Sequence, residues 1–161
     1  MKRFVWMTAF VLCPVFATAQ STLNFPRSFT QTDRFGTGFA IVNPAPTDAV
    51  ATFTLIGNNG TPLAAVTRVI PHAGQFSQLA SEMFPTISAS GWVQVTSATT
   101  GLQGFWIGGD FVNLTRADGG VSAPLSTDQL FPFVPAGTEI SVANPGLSAI
   151  SMYLTSSSPS V

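Results

Sequence analysis

The sequence is poor in the residues that do chemistry. It holds one cysteine, Cys13, and one histidine, His72, and charged residues make up only 8% of it. Cys13 lies in an apolar run near the start, and beyond it neither a disulfide nor a thiolate metal site can form. A small domain without disulfides must be held by a real core. With one histidine, a zinc site would need carboxylates, and none stands close to His72 in sequence. Lysine is absent after Lys2, and Arg27, Arg34, Arg68 and Arg116 are dispersed. That leaves no phosphate clamp and no basic footprint for nucleic acid or anionic lipid. A Gly-rich phosphate loop is missing, and so is the Gly-x-Ser-x-Gly elbow of a hydrolase. No cofactor is implied.

The start of the chain has the order of an export signal. Lys2 and Arg3 are basic, Phe4 to Phe16 is rich in apolar residues, and Ala17-Thr18-Ala19 supplies small ones, so cleavage before Gln20 is expected. The apolar run falls short of the about 20 residues that a transmembrane helix needs, and Pro14 interrupts it. Leu12 stands where a lipoprotein signal would put a small residue, so Cys13 leaves with the signal. The expected destination is secreted or cell surface, or else the periplasm. The remaining 142 residues have four arginines against seven acids, a net charge of −3.

Thr, Ser, Val, Phe, Gly and Pro dominate what is left, a mix that favours sandwiches and barrels with frequent turns. Gly38 to Val42 is a short apolar run stopped by Asn43-Pro44. Ala49 to Ile56 alternates, with Ala51, Phe53 and Leu55 on one face and Thr52 and Thr54 on the other. Asn58-Asn59-Gly60 is a tight-turn signal, so Leu63 to Ile70 is expected to return as the second strand of a hairpin. Pro71 to Gly74 is the next turn. Phe76, Leu79, Ala80, Met83 and Phe84 fall at helical spacing before Pro85, which predicts a short helical turn with Ser77 as its cap. Gly91 to Ser97 and Leu102 to Phe111 read as strands, with Val93, Val95, Phe105 and Ile107 inward. Gly108-Gly109 marks a bulge or strand end. Asn113 to Ser126 reads as a linker.

The pattern then restarts. Phe25-Pro26, Gly36-Thr37 and Asn43-Pro44 return as Phe131-Pro132, Gly137-Thr138 and Asn144-Pro145, the last two pairs at a spacing of 101 residues. A repeat of roughly 100 residues matches one sandwich domain. The expected organisation is a signal peptide over 1–19, a β-sandwich module over 20–112, a linker over 113–128 and an incomplete second β module over 129–161.

The quoted residues also carry a resemblance. Phe25-Pro26, GFAIVNP (38–44), Ala51 to Leu55 before Gly60-Thr61-Pro62-Leu63, PHAGQ (71–75), LASEMFP (79–85) and GWVQVTS (91–97) resemble tandem modules of uncharacterised secreted proteins from acidobacteria and related bacteria. The resemblance covers about residues 23–112, with 130–154 as the start of a second copy. It implies an all-β, immunoglobulin-like antiparallel sandwich and carries over no catalytic or ligand residues.

Among candidate sites, His72 could join Asp48 or Asp110 in a hydrolase triad, but its place between Pro71 and Gly74 reads better as a solvated turn. Asp33, Asp48, Glu82, Asp110, Asp118, Asp128 and Glu139 show no spacing that pairs two across a glycosidase cleft. Asp118-Gly119-Gly120 lacks the further acidic ligands of a calcium loop. Glu82 is placed to cap the helical turn. Asn113-Leu114-Thr115 fits a sequon, incidental in a bacterial chain. Trp92 and Trp106 sit on strands beside residues read as inward. Alternation then turns both indoles outward, as a platform for sugar rings. Two functions follow: a structural or adhesion module contacting other protein modules or cell-surface components, or a carbohydrate-binding module using Trp92 and Trp106 on polysaccharide. The strand edges around Ile140 to Val142 and Ile150 to Leu154 add an expectation of self-association through the incomplete C-terminal module.

Overall fold

The computed structural model of the protein describes residues 20–110, 117–131 and 138–155. The export signal over 1–19, the Asn113 sequon, Arg116, and Pro132 and Gly137 of the repeat lie outside these residues.

Among the described residues, eight strands form two antiparallel sheets. They are β1 (Ser21–Phe29), β2 (Thr37–Val42), β3 (Ala49–Gly57), β4 (Pro62–Ile70), β5 (Gln75–Leu79), β6 (Gly91–Ser97), β7 (Gln103–Gly109) and β8 (Ala117–Val121). The first sheet has the order β1-β6-β3-β4 and the second β5-β2-β7-β8. One helical turn, α1 (Ala80–Met83), and a 3-10 turn at Asp33–Gly36 are the other elements among the described residues. The sheets pack face to face as a sandwich. Tilted aromatic pairs cross between them: Phe25 with Phe39 at 5.4 Å and Phe53 with Phe76 at 5.3 Å between ring centroids. Such pairs add about 0.5–1.5 kcal/mol each beyond their buried area.

The all-β sandwich is as the sequence predicts. Its first strand, β1, lies beside β6, pairing Ser21 with Ser97 and Phe25 with Val93.

The hairpin of β3 and β4 forms as its turn signal demands. Gly60 has φ +81°, a conformation open to glycine at little cost. Ala49, Ala51, Phe53 and Leu55 are fully buried, while Thr52 and Thr54 face out and are half-buried. The corner between β2 and β3 moves the chain from one sheet to the other, and Asn43 holds it. Its buried side chain offers Nδ2 to the carbonyl oxygens of Thr47 (2.9 Å), Ile70 (3.1 Å) and Pro71 (3.2 Å), while Oδ1 accepts from the Ala45 N–H (3.1 Å). This side chain therefore joins carbonyls from both arms of the corner, adding to the Gly74 N–H that the Pro71 carbonyl already accepts.

Three segments depart from the sequence reading. Residues Gln75–Leu79 are strand, not helix, and Ser77 pairs with Ala40 rather than capping a turn. The turn starts later, and Glu82 reaches back to the Leu79 N–H at 3.2 Å. Ser21–Phe29 is a strand despite Pro26, because the register shifts between Phe25 and Phe29 and leaves the proline in an irregular stretch of an edge strand. Finally, Ala117–Val121, inside the span read as linker, pairs with β7. Beyond it, the Ala123 N–H donates to the Asn24 carbonyl at 2.7 Å and the Ser122 N–H to that of Gly104 at 3.0 Å. This stretch ties β7 to β1 and closes one side of the sandwich.

A buried arginine closes one end. Arg34, on the 3-10 turn, donates from Nη1 to the carbonyls of Phe84 (2.9 Å) and Ile87 and from Nε to that of Gln31 (3.2 Å). Its guanidinium also lies 5.9 Å from the centre of the Phe35 ring.

Candidate interaction surface

The tryptophans form no platform. Trp92 is 6% and Trp106 9% exposed, and they stand on β6 and β7, in different sheets. On β7 the alternation is real but its phase is the reverse of the one predicted. Trp106 points into the core, while Phe105 and Ile107 are 48% and 41% exposed. Glycines make the room. A Cβ on Gly108 would sit 3.0 Å from the Trp106 ring, and one on Gly120 of β8 would sit 3.0 Å from its Nε1. Phe105 and Ile107 looked like the inward set only because an indole flanked by glycines leaves no apolar stripe. Trp92 does lie opposite Val93 and Val95, as predicted, but it is buried on the outer side, where it pairs in register with Ile56.

His72 meets Asp48 through Nδ1 at 3.3 Å, and the same carboxylate oxygen accepts the His72 N–H at 2.9 Å. These bonds, the backbone one first, hold the Asp48 carboxyl below its ordinary range. Both side chains are exposed, so the pair braces a turn and lines no cleft. Among the described residues no three His, Cys, Asp or Glu side chains gather where a metal could sit. No helix among them is long and apolar enough to cross a membrane.

The two outer faces differ in chemistry. On the first sheet, Thr22, Thr96, Thr52 and Thr67 form one row across all four strands, with the Thr52 and Thr67 hydroxyls 3.3 Å apart. Val50 paired with Val69 is the apolar end of that face. The second sheet presents Phe105 between Ala40 and Val121 in register, and Ile107 beside Gly38. Over Gly38 the side chains of Leu79 and Ile107 converge, since a Cβ there would lie 3.5 and 3.8 Å from them. Val42 and Val121 extend the patch, both exposed. Its margin is β8, which among the described residues pairs with β7 on one side only and is the edge strand of the sheet.

A second apolar region lies at residues 138–155, which pair with no strand among the described residues. Val142, Leu147, Ile150, Met152, Tyr153 and Leu154 are all exposed. Arg27 of β1 anchors the segment through an ion pair with Glu139. Hydrogen bonding from Arg27, then from the Ser141 hydroxyl, holds the Glu139 carboxyl below its ordinary range. The same bond raises Arg27. The loop at Asn144 is already shaped: Nδ2 donates to the Ser148 carbonyl at 2.8 Å, and Oδ1 accepts the Gly146 N–H at 3.0 Å.

The strand edges expected around Ile140 to Val142 and Ile150 to Leu154 are not strands in the structure, and sequence reasoning missed the sheet face because Phe105 and Ile107 were assigned to the core. No known family, curated protein or solved structure matches the chain.

Proposed function

We propose that the chain is a non-catalytic structural or adhesion module of a bacterial surface or extracellular protein, exported by its first nineteen residues. The observation that carries this reading is the apolar outer face of the second sheet, with Phe105, Ile107, Val42 and Val121 exposed beside β8, the edge strand among the described residues. A contiguous exposed apolar face marks a protein contact more often than a solvated surface. A free strand edge adds main-chain hydrogen bonds to whatever docks there. The module works passively: it spaces or holds other surface modules.

Expression of the full chain in an exporting bacterium tests both halves. The expected mature species begins at Gln20 and stays with the cell surface after washing. Phe105→Asp with Ile107→Asp should release it into the medium while leaving the thermal midpoint close to wild type, because both side chains are on the surface. A chain retained in the cytoplasm with residue 1 intact would end the export reading. Equal surface retention of the double variant would end the assignment of this face.

A further inference from the structure

The turn that joins β3 to β4 carries an Asn-Gly pair in the open, on the first sheet and away from the apolar face of the second. Asn58, Asn59 and Gly60 are all exposed. The loop is tight: the Gly57 N–H donates to the Thr61 carbonyl and the Gly60 N–H to the Gly57 carbonyl, both at 2.8 Å. Within it the Asn59 side chain bends forward along the chain. Its Oδ1 accepts the Thr61 N–H at 3.1 Å, an Asx turn that folds the amide over the Gly60 peptide. Gly57 leaves room for this, since a Cβ there would stand 3.0 Å from that Oδ1. Two chemical consequences follow. The Thr61 N–H stands where negative charge develops on Oδ1 if a nucleophile attacks Cγ. The nearest backbone nitrogen in the chain belongs to Gly60, whose missing Cβ would have met nothing within 4 Å, so no side chain shields it. The other described asparagines are set differently. Asn24 and Asn43 are buried. Asn43 and Asn144 precede prolines, whose nitrogen has no proton to lose. Asn58 is followed by a residue with a side chain, and its Oδ1 is held by the Ser28 hydroxyl at 3.0 Å.

We propose that Asn59 is a site of spontaneous covalent modification, at which the chain turns its own amide into an acid through a cyclic imide. The Gly60 nitrogen gives its proton to solvent base and attacks Cγ of Asn59. A C–N bond forms, the Cγ–Nδ2 bond breaks, and the amide nitrogen leaves as ammonia after taking up a proton. Water then opens the imide ring. Cleavage at Cγ gives aspartate on an unchanged backbone. Cleavage at the backbone carbonyl gives isoaspartate, whose backbone runs through Cγ and is one carbon longer. Nothing is oxidised or reduced. Either product puts a negative charge on a hairpin that has none between Asp48 and Arg68. Isoaspartate also spoils the turn, because a longer backbone cannot keep both bonds that close it on Gly57. Among the described residues β4 is an edge strand held in its sheet by β3 alone, so loosening starts at its Pro62 end. The attacking nitrogen is the one that donates to the Gly57 carbonyl, so the tip must open before it reacts. Such local opening costs far less than unfolding, and the modification records how often it happens.

The test keeps the purified full chain folded in mildly alkaline heavy-oxygen water, beside a synthetic peptide copying Leu55–Leu63, and follows both by fragmentation mass spectrometry. Trypsin releases Phe35–Arg68, which holds Asn43, Asn58 and Asn59 together. The expected result is acid at Asn59 alone in that fragment, carrying heavy oxygen, with isoaspartate present, and formed more slowly than in the peptide. Gly60→Ala should slow it by at least about tenfold, a barrier higher by about 1.4 kcal/mol. Asn59→Gln leaves the glycine in place and should abolish it, because the longer side chain closes a larger ring. Hydrogen exchange on the aged chain should show protection lost at Gly57 and Gly60 and kept in β6. Asn59 still an amide once the peptide is fully converted would overturn the proposal, since the turn would then shield the nitrogen. So would Asn58 reacting as fast as Asn59, or aspartate without isoaspartate, which would mean direct attack by water. Conversion at the peptide's own rate would overturn the gating by the turn.

Discussion

At the scale of single residues, one amide can be compared in two settings. Asn43 is buried and makes four hydrogen bonds, two of them to carbonyls 27 and 28 residues away. Asn43→Ala removes a buried donor from the Thr47, Ile70 and Pro71 carbonyls, of which Pro71 keeps the Gly74 N–H, and should cost about 1–3 kcal/mol in urea unfolding. Asn144→Ala, at an exposed loop, should stay within about 0.5 kcal/mol in the protein alone. Asn-Pro was visible twice in the sequence. That one asparagine closes a corner and the other stands open was not, because the difference lies in residues distant along the chain. Trp106 makes a related point. Period-two alternation was legible on β7, but its phase was not, since the residues sharing the indole's face are Gly104 and Gly108. Trp106→Ala should cost about 3–5 kcal/mol. With Trp92 and Trp106 both buried, emission should be blue-shifted and indifferent to added polysaccharide. A red-shifted spectrum that responds to sugar would contradict the burial.

Elements declared themselves in proportion to how local their causes were. The β3–β4 hairpin carries its own turn chemistry, and β6 keeps the predicted bounds, Gly91–Ser97. The strands left unassigned or misread depend on partners instead. β1 tolerates Pro26 only because it is an edge strand with a register shift. β5 has the spacing of a helix because Phe76, Leu79 and Met83 serve a strand and then a turn. β8 looks like a linker because its central residues are Gly119 and Gly120, yet those glycines are what let it approach Trp106. Gly120→Val should therefore cost about 1–3 kcal/mol through overpacking. Hydrogen exchange would show it first, as lost protection in β8 with β3 and β6 unchanged. Arg34 ties the 3-10 turn to the loop after α1, and Arg34→Ala should cost about 1–3 kcal/mol by removing the buried guanidinium's bonds to the Gln31, Phe84 and Ile87 carbonyls.

For the whole molecule, net charge matters less than where it couples parts together. The Arg27–Glu139 pair joins β1 to the 138–155 segment. The Glu139 carboxyl is depressed in the folded state, so its contribution is present above the ordinary glutamate value and is lost as pH falls through the depressed one. An NMR titration should place the Glu139 midpoint below that ordinary value, and Arg27→Ala should return it upward. An unmoved midpoint would mean that the pair does not anchor the segment in solution. The sandwich as a whole was legible because turns and alternation recur along the chain. Which face would be left apolar was not, because exposure is decided by how the sheets meet.

The pairing of β1 with β6 also sets a clock. Phe29 waits for Gly91 and Ser21 for Ser97, so more than sixty further residues must be made before the first strand has a partner. At 5–20 residues per second that delay is about 3–15 s. Such non-local pairing also belongs to the slow end of folding rates. During the wait Leu23, Phe25 and Phe29 are open to mispairing, and Pro26, which cannot donate to a ladder, interrupts the strand where a wrong partner would otherwise zip along it.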